Sequence, residues 1–184
     1  MFECIPTPLD GLIEIRRRVL SDERGFFSPI FRLAQLQAAG FGDTVAQVNQ
    51  SQTRLPGTIR GLHFQYPPHA EAKLVSCLRG EVFDVAVDLR AGSPTFLRWH
   101  ARVLSADNHT SLLVPAGFAH GFQSLRADSE LLYLHSGAYE PASEGALQAL
   151  DPAIGIAWPL EVSVMSRRDR VDAIAAAGFE GLKL

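Results

Sequence analysis

The chain has 184 residues, a formal charge of −3, and a composition that is 47% hydrophobic and 20% charged. A chain of this length buries roughly 70% of its unfolded surface without disulfide or metal staples, and this ordinary composition points to neither disorder nor membrane insertion. The slight acidity supplies no field for nucleic acid, and no apolar run approaches the roughly 18 residues of a membrane span.

Cys4 and Cys77 lie far apart, and the opening M-F-E-C-I-P-T-P lacks the basic and apolar regions of a signal peptide. Two reduced thiols in a cytoplasmic protein are expected. Leu12 to Leu20 begins with strand alternation, and Asp22-Glu23-Arg24-Gly25 is a turn opening into Phe26-Phe27. Arg24 is therefore held beside two aromatics, either solvated or available to a phosphate of its own or a neighbouring subunit. Arg32 to Ala39 reads as a short helix closed by Gly40. Val45 to Thr53 returns to strand chemistry, with Gln47, Asn49 and Ser51 on one face as a solvated row or a ligand-binding wall.

The stretch T-I-R-G-L-H-F-Q-Y-P-P-H-A-E-A-K-L-V, residues 58 to 75, concentrates ionisable groups of different kinds between apolar neighbours. Thr58 to Gln65 predicts a strand, Tyr66-Pro67-Pro68 breaks it, and Lys73 starts a second strand returning beside the first. A histidine that takes a proton, His63, would then face a lysine that stabilises negative charge, Lys73, with Arg60 nearby. The alternative is a core-capping histidine with two solvated strand cations. Strict alternation puts Arg60 and His63 on opposite faces, which a bulge at Gly61 would cure.

Glu81 to Arg90 has the clearest period in the chain: Phe83, Val85, Val87 and Leu89 on one face, and Asp84, Ala86, Asp88 and Arg90 on the other, toward solvent or a cavity. Further strands are expected over Phe96 to Leu104, Ser111 to Pro115, after the turn at Pro115-Ala116-Gly117, and over Glu130 to Tyr139, which places Tyr133 and Tyr139 on one strand face. His120 sits between small residues that let another group approach. Strands about ten residues apart suggest one antiparallel sandwich or barrel domain over the whole chain, not alternating β-α units. Beyond Pro141, Asp-Pro, Gly and Trp-Pro punctuation reads as an ordered loop wrapping the sheet. Ser166 then caps a helix running to about Ala177, with Asp169 as a capping-box carboxylate.

A metal site would have to use His63, His69, Glu71 and His120, but Gln65 stands where a second closely spaced ligand is needed and a Pro-Pro break intervenes. His100, His109 and His135 have no partner pattern. What remains is a base, a lysine, an arginine and tyrosines, a set suited to proton transfer at carbon beside a carbonyl. A neutral imidazole takes the proton, a cation steadies the enolate, and a phenol on the other face returns a proton, which makes an epimer.

The ordered runs D-E-R-G-F-F (22–27), Q-V-N-Q-S (47–51), R-G-L-H-F-Q-Y-P-P (60–68), G-E-V-F-D-V-A-V-D-L-R (80–90), P-A-G-F-A-H-G-F (115–122) and D-P-x3-I-x-W-P (151–159) resemble those of the dTDP-4-dehydrorhamnose 3,5-epimerases, over about residues 5–170. The resemblance implies an all-β fold, a cupin-like jelly-roll barrel or sandwich with short peripheral helices. It also implies no catalytic metal or cofactor, and a homodimer with strands exchanged across its interface. The implied substrate is a nucleotide-linked 4-keto-6-deoxy sugar. By motif match His63 takes the place of the base, Asp169 of its carboxylate partner and Tyr133 of the opposing acid. Lys73 and Arg60 match positions that hold the sugar and stabilise the enolate, with His120 on the same wall. Arg24, Phe27, Gln47, Asn49, Tyr139, Glu144 and Arg168 match the nucleotide side, some of them contributed by a partner chain. The chain departs from the pattern at Pro29, where glutamate is usual, at Glu71-Ala72 in place of Gln-Gly, and at Arg168 in place of lysine. A single-centre epimerase, or one acting on a differently activated sugar, is the nearest alternative. A sugar-binding cupin without activity and a metal-dependent dioxygenase are the rivals from other classes.

Overall fold

Short apolar-polar alternations broken by glycine and proline turns fold into two packed sheets in the computed structural model, which describes residues 2–184. In chain order the first strands are β1 (Glu3–Pro6), β2 (Ile13–Arg16), β3 (Leu20–Asp22) and β4 (Gly25–Phe27). A short helix, α1 (Leu33–Gln37), precedes β5 (Gln47–Thr53), β6 (Ile59–Gln65), β7 (Lys73–Arg79) and β8 (Glu81–Asp88). They are followed by β9 (Trp99–Ser105), β10 (Thr110–Val114), β11 (Phe118–Ser124), β12 (Ser129–His135) and β13 (Glu144–Ala146). One sheet has the order β1-β2-β10-β7-β12-β5 and the other β13-β6-β11-β8-β9; β3 and β4 form a separate hairpin around Arg24.

Three apolar layers follow from the alternation. Val75, Cys77, Leu112 and Leu131 from one sheet meet Val82, Ala86, Leu104 and Phe122 from the other to form the inner core. Leu74, Leu113 and Leu134 turn outward under Leu36 of α1 and Phe41. Leu62, Phe64, Val85 and Val87 turn outward on the second sheet, where Leu147, Ile154, Met165 and Ala176 of the C-terminal segment cover them. Burial on both sides makes β8 differ from its expected half-buried state: Asp84 and Asp88 are fully buried, with Asp84 facing the interior between the sheets.

Four further expectations are corrected. The strand beginning at Lys73 does not pair with β6; β7 lies between β10 and β12 in the other sheet, so Lys73 meets His63 across the interior and not along a sheet. Tyr139 lies beyond the end of β12 and shares no strand with Tyr133. Leu12 to Leu20 divides into the end of β2 at Arg16 and the start of β3 at Leu20. The C-terminal helix is one π-helical turn, Arg168–Asp172, and the chain becomes extended at Ala173. There Ile174 bridges Leu147, Ala176 is buried, and the Ala176 N–H donates to Asp151 Oδ2 at 2.7 Å, so packing on the sheet takes these residues out of the helix.

Candidate active site

At the open end of the sandwich a cavity of about 920 Å³ is lined by β5 and β12 of one sheet, β6 and β11 of the other, and the turn at Ser166 to Asp169. The bulge on β6 makes the wall. His120 and Phe122 of β11 pair with His63 and Arg60, so β6 holds one extra residue between them. Gly61 has φ +125°, and a Cβ there would lie 2.6 Å from Gly121 Cα on the facing strand. The two glycines thus let the strands close around the extra residue. Arg60 and His63 both line the cavity as a result.

His63 Nε2 lies 2.7 Å from Asp169 Oδ1 and also 2.7 Å from Arg168 Nη2. One ring nitrogen cannot serve both: protonated, it donates to the carboxylate; bare, it accepts from the guanidinium. Asp169 is held for this contact by the Gly61 N–H, which donates to Oδ2 at 3.4 Å, and by its own N–H, which donates to Ser166 Oγ at 3.1 Å. Burial pushes the Asp169 carboxyl up, but the hydrogen bond and charge of His63, with Gly61 and Ser166, outweigh it and hold it below the usual carboxylate range. The capping-box role expected for the Asp169 carboxylate is corrected: both of its oxygens are taken by His63 and Gly61, and the capping-type contact here is the Asp169 N–H donating to Ser166 Oγ.

From the opposite sheet Tyr133 and Lys73 face the same cavity. The Tyr133 hydroxyl shares a hydrogen bond of 3.1 Å with Ser51 Oγ, and burial, the largest influence, pushes the phenol well above its ordinary value, so it stays protonated. Burial also lowers the Lys73 ammonium, against the attraction of Glu71 and Glu144. Beside Tyr133 lies a second buried dyad: His120 Nε2 is 2.9 Å from Asp84 Oδ1, and burial raises the Asp84 carboxyl against the pull of His120.

An adjoining chamber of about 210 Å³ shares Asn49, His63 and Lys73 and adds Gln47, Tyr139 and Glu144. The Tyr139 hydroxyl donates to Glu144 Oε2 at 3.0 Å, and Arg168 Nη1 donates to both Glu144 oxygens at 2.8 and 2.9 Å. Arg60 reaches back to β5, donating to Thr53 Oγ1 and Gln52 O at 3.0 Å. Of the residues matched to catalytic and substrate positions, Arg24 and Phe27 lie outside both chambers of this chain, on the exposed β3–β4 hairpin where Arg24 pairs with Asp22. His135 was missed: it lines both chambers and its Nδ1 is 3.3 Å from Glu71 Oε1. Its position two residues after Tyr133 on one strand was the available signal. Among the described residues no three His, Cys, Asp or Glu side chains are placed to hold a metal ion.

A histidine with a carboxylate behind it on one sheet, and a protonated phenol and a lysine on the other, define a jelly-roll enzyme equipped for proton transfer at carbon. The family pattern of dTDP-4-dehydrorhamnose 3,5-epimerase matches residues 6–175. A dTDP-4-dehydrorhamnose 3,5-epimerase of Sinorhizobium fredii is 46% identical, over 84% of this chain and 80% of its own length. The crystal structure of the Legionella pneumophila dTDP-6-deoxy-D-glucose-3,5-epimerase, in complex with dTDP-4-keto-L-rhamnose, superposes with a TM-score of 0.89 at 38% identity, covering all of both chains. A 3'-monoepimerase of Streptomyces bikiniensis in complex with dTDP-quinovose does so with a TM-score of 0.87, also at 38% identity, over 94% of this chain and 87% of that one. The chain belongs to the dTDP-4-dehydrorhamnose 3,5-epimerase family and is an epimerase, an isomerase of the cupin-like jelly-roll type.

Proposed function

We propose that the protein converts dTDP-4-dehydro-6-deoxy-D-glucose to dTDP-4-dehydro-L-rhamnose by inverting C3 and C5, both of which flank the C4 ketone. The observation that carries this reading is the placement of His63 with Asp169 and of Tyr133 on opposite sheets of one cavity. Inversion requires a proton to leave one face of the sugar and another to arrive on the other, and the two sheets supply the two faces.

In this reading Asp169 accepts from His63 Nε2 and leaves Nδ1 as the base. The proton passes from carbon to Nδ1, and the C–H electron pair moves into the ketone to give the enolate. The Lys73 ammonium, aided by Arg60 and His120, stabilises the oxygen, and the Tyr133 phenol protonates the carbon from the other side. The ring then returns its proton to water and the phenol is reprotonated, with no net oxidation. Arg168, Gln47, Asn49, Tyr139 and Glu144 take the nucleotide side. Arg24 and Phe27 serve the site of a partner chain in a homodimer, which agrees with their exposed hairpin lying outside this chain's cavity. The two free thiols accord with a cytoplasmic location, and no helix among the described residues is long and apolar enough to cross a membrane.

The equal identity to a double epimerase and to a 3'-monoepimerase keeps inversion at one centre as the second reading. Proton NMR of the 4-keto sugar nucleotide in D₂O reads exchange separately at C3 and C5. Loss of both signals, abolished in His63→Ala, is expected; exchange at one carbon only makes the enzyme single-centre, and full exchange by His63→Ala refutes the assigned base.

A further inference from the structure

One buried ionisable group takes no part in the reaction as written. Glu71 precedes β7, its side chain is 6% exposed, and its Oε1 lies 3.5 Å from Lys73 Nζ and 3.3 Å from His135 Nδ1. Lys73 and His135 are paired residues across β7 and β12, so the carboxylate spans a cross-strand pair at the cavity wall. Oε2 is buried without a hydrogen-bond partner, and bare Gly137 makes room for it, since a Cβ there would come within 3.2 Å of Glu71 Cβ. A carboxylate buried at this cost is retained where it compensates a charge.

We propose that Glu71 is a positioning residue of the active site, whose carboxylate keeps the buried Lys73 side chain charged and fixes His135 in the wall between the two chambers. With Oε1 3.3 Å from Nδ1, the carboxylate favours the His135 tautomer protonated at Nδ1, which leaves Nε2 bare toward Asn49 Nδ2, 3.4 Å away. The inference rests on the reading of Lys73 as the cation that steadies the enolate. Besides Glu71, the titratable and charged groups that share the two chambers with Lys73 are Tyr133 and His135 from β12, Arg60 and His63 from β6, His120 from β11, Glu144 from β13, Tyr139 beyond β12, and Arg168 and Asp169 of the C-terminal turn. Burial depresses the ammonium and Glu71 is its largest counterweight, ahead of Glu144.

The chain has two lysines, Lys73 and the exposed Lys183, so protein labelled with ¹³Cε-lysine gives two signals, and Lys183 serves as the internal reference. Glu71→Gln keeps the shape and removes the charge. The expected result is a fall of the Lys73 titration midpoint by about one pH unit or more, with Lys183 unmoved. The alkaline limb of solvent exchange should shift to lower pH in parallel. Glu71→Asp, with the charge one methylene further back, should give an intermediate midpoint and serves as the second variant if Glu71→Gln does not fold. A Lys73 midpoint unchanged in the folded variants overturns the inference. Failure of the wild-type enzyme to exchange a proton of any 4-keto sugar would instead refute the proposed function, while the lysine titration would still decide the role of Glu71.

Discussion

Two groups of opposite charge compete for Nε2 of His63, and the outcome decides what the ring can do. With Asp169 as the partner, the proton sits on Nε2 and Nδ1 is free to act as a base; with Arg168 as the partner, Nε2 is bare and the proton must sit on Nδ1. Asp169→Asn tests this directly. The Gly61 N–H holds the amide oxygen at the Oδ2 position, so the amide NH₂ faces His63 and imposes the wrong tautomer. The expected loss in kcat/KM is about 10²–10⁴-fold, measured as solvent exchange, with the fold retained. The same substitution changes acid stability. A carboxyl held lower in the folded than in the unfolded chain contributes stability that is complete above its unfolded value, about 3.9, and is lost as the pH falls through its lower folded value. Asp169→Asn should therefore be less stable than wild type at neutral pH, with the difference narrowing below about pH 4 in chemical denaturation.

At the scale of the element, the bulge on β6 is what allows a strand to present Arg60 and His63 to one cavity. Gly61 is at φ +125°, and any side chain there meets the Gly121 backbone. Gly61→Ala should cost about 1–3 kcal/mol in thermal unfolding and lower activity further than instability explains, because relief of the clash moves Arg60 or His63 out of register. The need for such a bulge was legible in the sequence from the spacing of Arg60 and His63. The strands themselves were legible because alternation and glycine-proline punctuation are local signals. Which sheet each strand joins was not: β7 and β8 are separated by Gly80 alone yet enter different sheets, a choice made by inward residues such as Val75 and Val82 meeting across the core. The pairing of Glu71 with His135 was hidden for the same reason, since the two are far apart along the chain and only the β7–β12 register joins them. The last helix is shorter than its sequence predicts, because the capping signal at Ser166 does not reveal that Ala173 and Ala176 are needed on the sheet.

At the scale of the whole molecule, the C-terminal segment covers the outer face of one sheet and delivers Asp169 to the cavity, so apolar burial and assembly of the site are coupled within one chain. The β3–β4 hairpin behaves oppositely: Phe26 is 63% and Phe27 67% exposed, and Arg24 reaches neither chamber of its own chain. If the hairpin completes a partner's site, His63 and Arg24 of one active centre come from different chains, and two defective chains can repair each other. Arg24→Ala and His63→Ala homodimers should each be weakly active or inactive alone. After mixing and subunit exchange, a mixed dimer has one centre with an intact His63 from the first chain and an intact Arg24 from the second. Equal mixing leaves about one centre in four complete, so activity should rise toward a quarter of wild type on a timescale set by subunit exchange. Lack of recovery, with exchange verified by mass-tagged subunits, would place Arg24 either in its own chain's site or in no site at all.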